Sequence, residues 1–212
     1  MNWEHPLDNG RNSHAQGLVD EDLFDQYCSN IGWKSGNTGS GSDDDKYRHI
    51  DRVVTTSTGK VLKIQVKGYK QPLFWFNPET NIKEPLFPIE LHGAMRDNLG
   101  WLYGGEMQGF AFGYKFSKDD DIRYLIIRRK KLIELVDRII LEKRLEFLSP
   151  RTESQISTLD ERGFQRPRGA KYAYHFYNRR DYEVLLYLPF KEMKSAAKAV
   201  LGKNGIVTLS TL

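Results

Sequence analysis

The sequence predicts an α+β protein built on a mixed sheet, and three patterns predict it. A helical apolar stripe opens the patterned part of the chain, short β-rich runs follow at hairpin spacing, and one later segment changes period from strand to helix. Composition supports a folded core, because 39% of the 212 residues are hydrophobic while 28% are charged.

Residues 1–16 are polar and are expected to form a poorly ordered N-terminus. From Leu18 the pattern turns helical. Val19, Leu23, Tyr27 and Ile31 fall four apart, Phe24 and Cys28 widen the stripe, Asp20 is a candidate cap and Gly32 a candidate stop. SGNTGSGSDDDK, residues 35–46, reads as a mobile acidic loop. RHIDRVVTT and KVLKIQVKG then form a hairpin about the Ser57–Gly59 turn. LFPIELHG is a further strand, reached through the Pro-punctuated QPLFWFNPE. GWLYGGEMQGFAFGYKF carries too many glycines for a helix and reads as a loop feeding a strand. IRYLIIRRKKLIELVDRII is a buried strand running into an amphipathic helix. Residues 148–170 read as a loop. KYAYHFY and EVLLYLPF form a second hairpin about Asn178–Asp181, and a last helix is expected near Lys191–Leu201.

Other classes are excluded or narrowed. Cys28 is the only cysteine, so an internal disulfide and a Cys-rich zinc site are out of reach. No apolar run approaches the roughly eighteen residues of a membrane span, and MNWEHPLDNG lacks a basic-then-apolar leader pattern. The expectation is therefore a cytoplasmic protein with no membrane partner. The net charge of +4 permits a polyanionic partner only where the positive charge is local.

One constellation carries chemistry. Pairing about Ser57–Gly59 sets Asp51, at the start of the first strand, beside Gln65 and Lys67 near the end of the second. Gln65 and Lys67 are two apart and share a sheet face, while Ile64 and Val66 take the other as core. An aspartate and an amide oxygen can hold a hard divalent cation. A neighbouring lysine can position or help deprotonate a metal-bound water, or neutralise a phosphate.

The spacing Asp51–(x13)–Gln65-x-Lys67 resembles the signature of the PD-(D/E)xK, restriction-like nucleases. HID at 49–51 followed by QVKG at 65–68 is similar to the branch in which glutamine replaces the second acid, as in modification-dependent restriction enzymes. IELHG (89–93) and GWLYG (100–104) resemble small phage and bacterial members. The resemblance implies a restriction-endonuclease-like mixed central sheet flanked by helices over residues 17–147. Residues 148–212 would be a C-terminal extension of loop, hairpin and helix packed on that core. It implies Mg²⁺ or Mn²⁺ held by Asp51, by Gln65 directly or through water, and by the Val66 carbonyl. Lys67 would be the catalytic lysine, and Glu21, on the preceding helix, a supporting or second-metal group. The partner would be nucleic acid, DNA in the first reading. Many such enzymes are homodimers because two strands need cutting, although no heptad or interface signal marks one here. No proline precedes Asp51, and Gln65 lowers the negative charge of the site, which leaves room for a member that binds without cutting.

Further residues invite functional and structural accounts side by side. Glu90 and His92 share a strand face and suit an added ligand or acid–base group, or simply a pair bonded to neighbouring backbone. Trp101 and Tyr103 suit a base-stacking platform or core packing. The Arg128–Lys131 run suits phosphate contact or a solvated face. In the tail, Arg162, Arg166, Arg168, Lys171, Arg179 and Arg180 interleave with Phe164, Tyr172, Tyr174, Phe176 and Tyr177. That alternation suits backbone contact with stacking, and Arg168, Lys171, Arg179 and Arg180 are the chosen phosphate contacts. Besides a metal-dependent endodeoxyribonuclease, the sequence admits a non-catalytic nucleic-acid-binding protein of the same fold, or a phage or host protein-interaction protein.

Overall fold

The computed structural model describes residues 10–39, 42–46, 48–69, 74–77, 81–93, 99–117, 119–143, 173–174, 176–178 and 184–208. The elements in chain order are α1 (Gly10–Asn30), β1 (Lys34–Asn37), α2 (Asp43–Lys46), β2 (Arg52–Thr55), β3 (Val61–Lys67), β4 (Phe74–Asn77) and β5 (Ile82–His92). They continue with α3 (Trp101–Gly104), β6 (Gly109–Tyr114), β7 (Arg123–Arg128), α4 (Arg129–Glu142), β8 (Phe176–Asn178), β9 (Val184–Pro189), α5 (Phe190–Ala196), β10 (Ala197–Gly202) and β11 (Gly205–Thr208). The fold is α+β. A seven-stranded sheet in the order β1-β2-β3-β6-β7-β10-β11 is accompanied by a four-stranded sheet, β4-β5-β9-β8.

Strand alternation divides the core into two layers. Ile64, Val66, Ala111 and Tyr124 point to one face, where they meet Phe24, Tyr27 and Cys28 of α1. Phe110, Phe112, Leu125 and Ile127 point to the other and pack against two helices and the second sheet. Leu132, Leu135, Val136 and Ile139 come from α4, Met193 from α5, and Phe87, Ile89, Val184 and Leu186 from the second sheet. The main sheet thus lies between α1 and a layer made of the small sheet with α4 and α5. Among the described residues no helix is long and apolar enough to cross a membrane.

The hairpin forms as its turn demands. Gly59 has φ 79°, the left-handed conformation that glycine adopts without a Cβ penalty, and its N–H donates to Thr56 O at 2.9 Å. The Thr56 N–H donates to Lys60 O at 2.9 Å, and the register pairs Arg52 with Ile64 and Val54 with Leu62. At the end of α1, Gly32 (φ 73°) donates to Ser29 O at 3.0 Å while Trp33 donates to Cys28 O at 2.9 Å. Those paired bonds are a glycine C-cap, so the expected stop is the observed one.

Four local expectations give way. Helix α1 begins at Gly10, well before the apolar stripe, and Asp20 lies inside it rather than capping it. Residues 34–37 form an edge strand against β2, and Asp43–Lys46 make one helical turn, where a loop was expected. WLYG forms the single turn α3 instead of a loop. The last expected helix stops at Ala196, and residues 197–202 are β10. Ala197, Ala199 and Leu201 are buried there at period two, and pairing with β7 outweighs the helix propensity of an Ala/Lys-rich run. The C-terminal segment is also less separate than an extension. Strand β10 enters the main sheet beside β7, and β9 pairs with β5.

Among the described residues Arg52 is the largest fully buried side chain, 1% exposed beneath α1. Its Nη1 lies 2.6 Å from Glu21 Oε2 and its Nε 3.0 Å from Asp25 Oδ2. A buried cation is tolerable only when paired in this way. Arg52→Met is expected to leave two partly exposed carboxylates facing an apolar strand and to cost about 2–4 kcal/mol. Urea unfolding of the variant measures it, and a midpoint equal to that of the wild type contradicts this role for Arg52.

Candidate active site

The site begins where two strands part. The register that pairs Arg52 with Ile64 would next bring Ile50 opposite Val66, but the backbone of Ile50 is used elsewhere. Its N–H donates to Asp44 O at 2.9 Å, and its carbonyl accepts the Thr38 hydroxyl at 2.6 Å. The Asp51 side chain takes its place, with Oδ2 accepting the Val66 N–H at 2.7 Å. The Asp51 N–H donates to Ile64 O at 3.1 Å. In an antiparallel ladder a residue's N–H and C=O face the same neighbour, so the Val66 carbonyl also faces this opening. His49, with φ 54°, lies in the turn that carries the chain away.

Opposed residues share a face, so Asp51, Gln65 and Lys67 lie on one side of the sheet as their spacing predicts. Ile64 and Val66 occupy the α1 side. Gln65 is not the solvent-facing residue that an amphipathic strand suggests. It is 4% exposed, and its Oε1 is buried with no hydrogen-bond partner. A buried amide oxygen without a donor is costly and marks a place where a further polar group or ion fits. Oxygen donors available at this corner are the Asp51 carboxylate, the Gln65 amide and the Val66 carbonyl, a set suited to a hard divalent cation. Among the described residues no three His, Cys, Asp or Glu side chains gather as a metal group, so any ion here leans on neutral oxygens.

Lys67 is half-buried, with Nζ 4.8 Å from the centroid of the Trp101 ring. Trp101 is 5% exposed and packs on Phe110 and Phe112 at 4.9 and 6.0 Å. Its ring is therefore core, not a platform open to a base. The Tyr103 hydroxyl donates to Asp137 at 2.9 Å, and burial with that carboxylate pushes its pKa well up. Glu90 and His92 follow the plainer account. Glu90 Oε1 accepts the Trp101 N–H at 3.3 Å, His92 Nδ1 lies 2.8 Å from Gly93 O, and pairing with β9 shifts register between them.

Glu21 does not join this face. It is engaged by Arg52 on the α1 side, together with Asp25. The acid of α1 at the end of β3 is its neighbour Asp20, 1% exposed, whose carbonyl accepts the Tyr124 hydroxyl at 2.6 Å. The Asp20 carboxylate packs against Gly68, the residue after Lys67. Nothing in the sequence distinguished Asp20 from Glu21. Arg52 did leave a signal, being a cation two residues from Val54 on the face that also carries Ile64. In the basic run, Arg129 donates to Leu102 O at 2.9 Å and Tyr103 O at 2.6 Å, and Lys131 pairs with Glu134 at 2.7 Å. Arg162, Arg166, Arg168, Lys171, Arg179 and Arg180 lie outside the described residues.

Gly68 is required by this packing. A Cβ there would meet Asp20 Oδ2 and lie 2.6 Å from Asp20 Cβ and Cγ. Those atoms belong to a short side chain on a packed helix, which cannot swing aside. Gly68→Ala is expected to push α1 from the sheet at Lys67 and to destabilise by about 1–3 kcal/mol. Denaturant midpoints test this, and an unchanged midpoint means the contact is loose. No family model, curated protein or solved structure matches the chain, so function must be argued from this corner's own chemistry.

Proposed function

We propose that the protein is a metal-dependent endonuclease that hydrolyses phosphodiester bonds in DNA. The observation that carries this reading is the buried, unpartnered Gln65 oxygen at the point where β2 leaves β3, with Asp51 opposite and Lys67 on the same face. Asp51 and Gln65, with the Val66 carbonyl, would hold Mg²⁺ or Mn²⁺. Such an ion lowers the pKa of bound water and stabilises charge on a phosphoryl oxygen. The chain's own contribution is orientation. The Val66 N–H holds one Asp51 oxygen in place, and Lys67 brings a positive charge to the same face. A fixed cation beside a phosphate favours the more anionic transition state over the ground state.

Asp51→Ala and Lys67→Ala are each expected to lower single-turnover cleavage of labelled plasmid in Mn²⁺ by more than about a hundredfold. Far-UV circular dichroism should stay that of the wild type. Cleavage by either variant near the wild-type rate removes the site assignment. A second reading is favoured by one feature: among the described residues no three His, Cys, Asp or Glu side chains gather at this corner, and less negative charge binds cations more weakly. It is a protein that binds nucleic acid without cutting it. Salt-sensitive gel shifts with no cleavage in Mg²⁺ or Mn²⁺ would select it.

Gln65→Glu separates the two further. The variant adds a charge where the amide offers a dipole, at nearly constant volume. The metal concentration for half-maximal cleavage should fall several-fold, and the Mn²⁺-induced rise in melting temperature should exceed that of the wild type. Equal thermal shifts in both proteins would place Gln65 away from the ion.

A further inference from the structure

A lysine at a strand end has four rotatable carbons, and its ammonium has no defined position unless something holds it. In this protein something does. We propose that Trp101 is a positioning residue, whose indole face is the seat that fixes the Lys67 ammonium beside Asp51 and Gln65. The effect on cleavage rests on the nuclease reading, whereas the seat itself stands on geometry alone.

Several contacts make the seat rigid without help from Lys67. The indole is wedged on Phe110 and Phe112, which the parallel register pairs with Gln65 and Lys67. Helix α3 is a single turn, too short to persist by itself, and side chains from other elements hold both of its ends. At the start, Glu90 Oε1 accepts the Trp101 N–H at 3.3 Å. At the finish, the Arg129 guanidinium donates to Leu102 O at 2.9 Å and to Tyr103 O at 2.6 Å. Gly100 lets the turn press onto β5, because a Cβ there would lie 2.5 Å from Glu90 O. The Tyr103 hydroxyl reaches Asp137 of α4 at 2.9 Å. With the ring held in this way, its electron-rich face attracts the Lys67 ammonium at 4.8 Å from the centroid. An aliphatic side chain of similar bulk would fill the space and provide no such attraction.

The test uses the full-length chain. In the metal-free wild type, the ε-methylene protons of Lys67, assigned by their loss in Lys67→Met, should resonate upfield through the ring current of the indole. Shifts at the ordinary lysine position overturn the seat, and this readout needs no variant at Trp101 to fold. A double-mutant cycle then isolates the contact from packing. Trp101→Leu should lower the folding equilibrium constant about fivefold more when residue 67 is lysine than when it is methionine. Trp101→Phe, which keeps a ring face, should retain most of that coupling. Equal losses in the two backgrounds overturn the proposal. For cleavage in Mn²⁺, Trp101→Leu should slow the single-turnover step about tenfold with metal half-saturation unchanged, and Trp101→Phe should restore most of the rate. An unchanged rate in Trp101→Leu ends the positioning role. A wild type that shows the ring-current shift and the coupling, yet never cuts DNA, refutes the nuclease reading and leaves the seat standing.

Discussion

Parallel strands cannot be joined by a tight turn, and the parallel pairing of β3 with β6 governs most of this structure. The chain leaves β3 after Lys67 and must travel back the length of the strand before β6 can begin at Gly109. Residues 68–108 make that journey, and they are not a bare connection. They include β4 and β5, half of the second sheet, and then α3, which delivers Trp101 to the face that carries Lys67. A return by a simple helix would have left that face with different cover. The crossover therefore builds both the outer layer of the core and the floor of the candidate site.

What could be read in advance follows from how far apart the interacting residues lie. Asp51, Gln65 and Lys67 were legible because a glycine turn sets a register, and a register sets faces over the next several residues. The strand-to-helix change at Arg128–Arg129 was legible for the same local reason. Contacts that depend on the crossover were not. Trp101 and Lys67 meet only because β6 lies beside β3, and no short-range pattern announces that. The burial of Gln65 was not legible either, because alternation gives a face but not what covers it. The second half of the expected final helix failed in the same way, since its β7 partner lies some seventy residues earlier. Asp20 and Glu21 are adjacent on one helix, and only the packed helix shows which one reaches Gly68.

The main sheet also sorts charge by side. Arg52 goes beneath α1 to two carboxylates, while the preceding residue, Asp51, goes to the face of Gln65 and Lys67. The two neighbours thus serve opposite sides of the sheet. The Arg52 Nη1 also reaches round to the Asp51 carbonyl at 3.0 Å, so the two sides are tied at the peptide that joins them.

That sorting has a bearing on how the hairpin selects its own alignment. Sliding β2 by one residue along β3 would exchange the faces of Arg52 and Asp51. Asp51 would then sit under α1 with Glu21 and Asp25, three like charges with no cation among them. Arg52 would crowd against Lys67 on the far side. Apolar patterning already discourages such a slip, but β2 is only four residues long and carries Val53 beside Val54, so its two faces differ little in greasiness. The neighbouring charges of opposite sign supply the asymmetry that the valines lack. Charge thus favours one alignment of the folded hairpin at the fourth pair from its turn, where Arg52 faces Ile64.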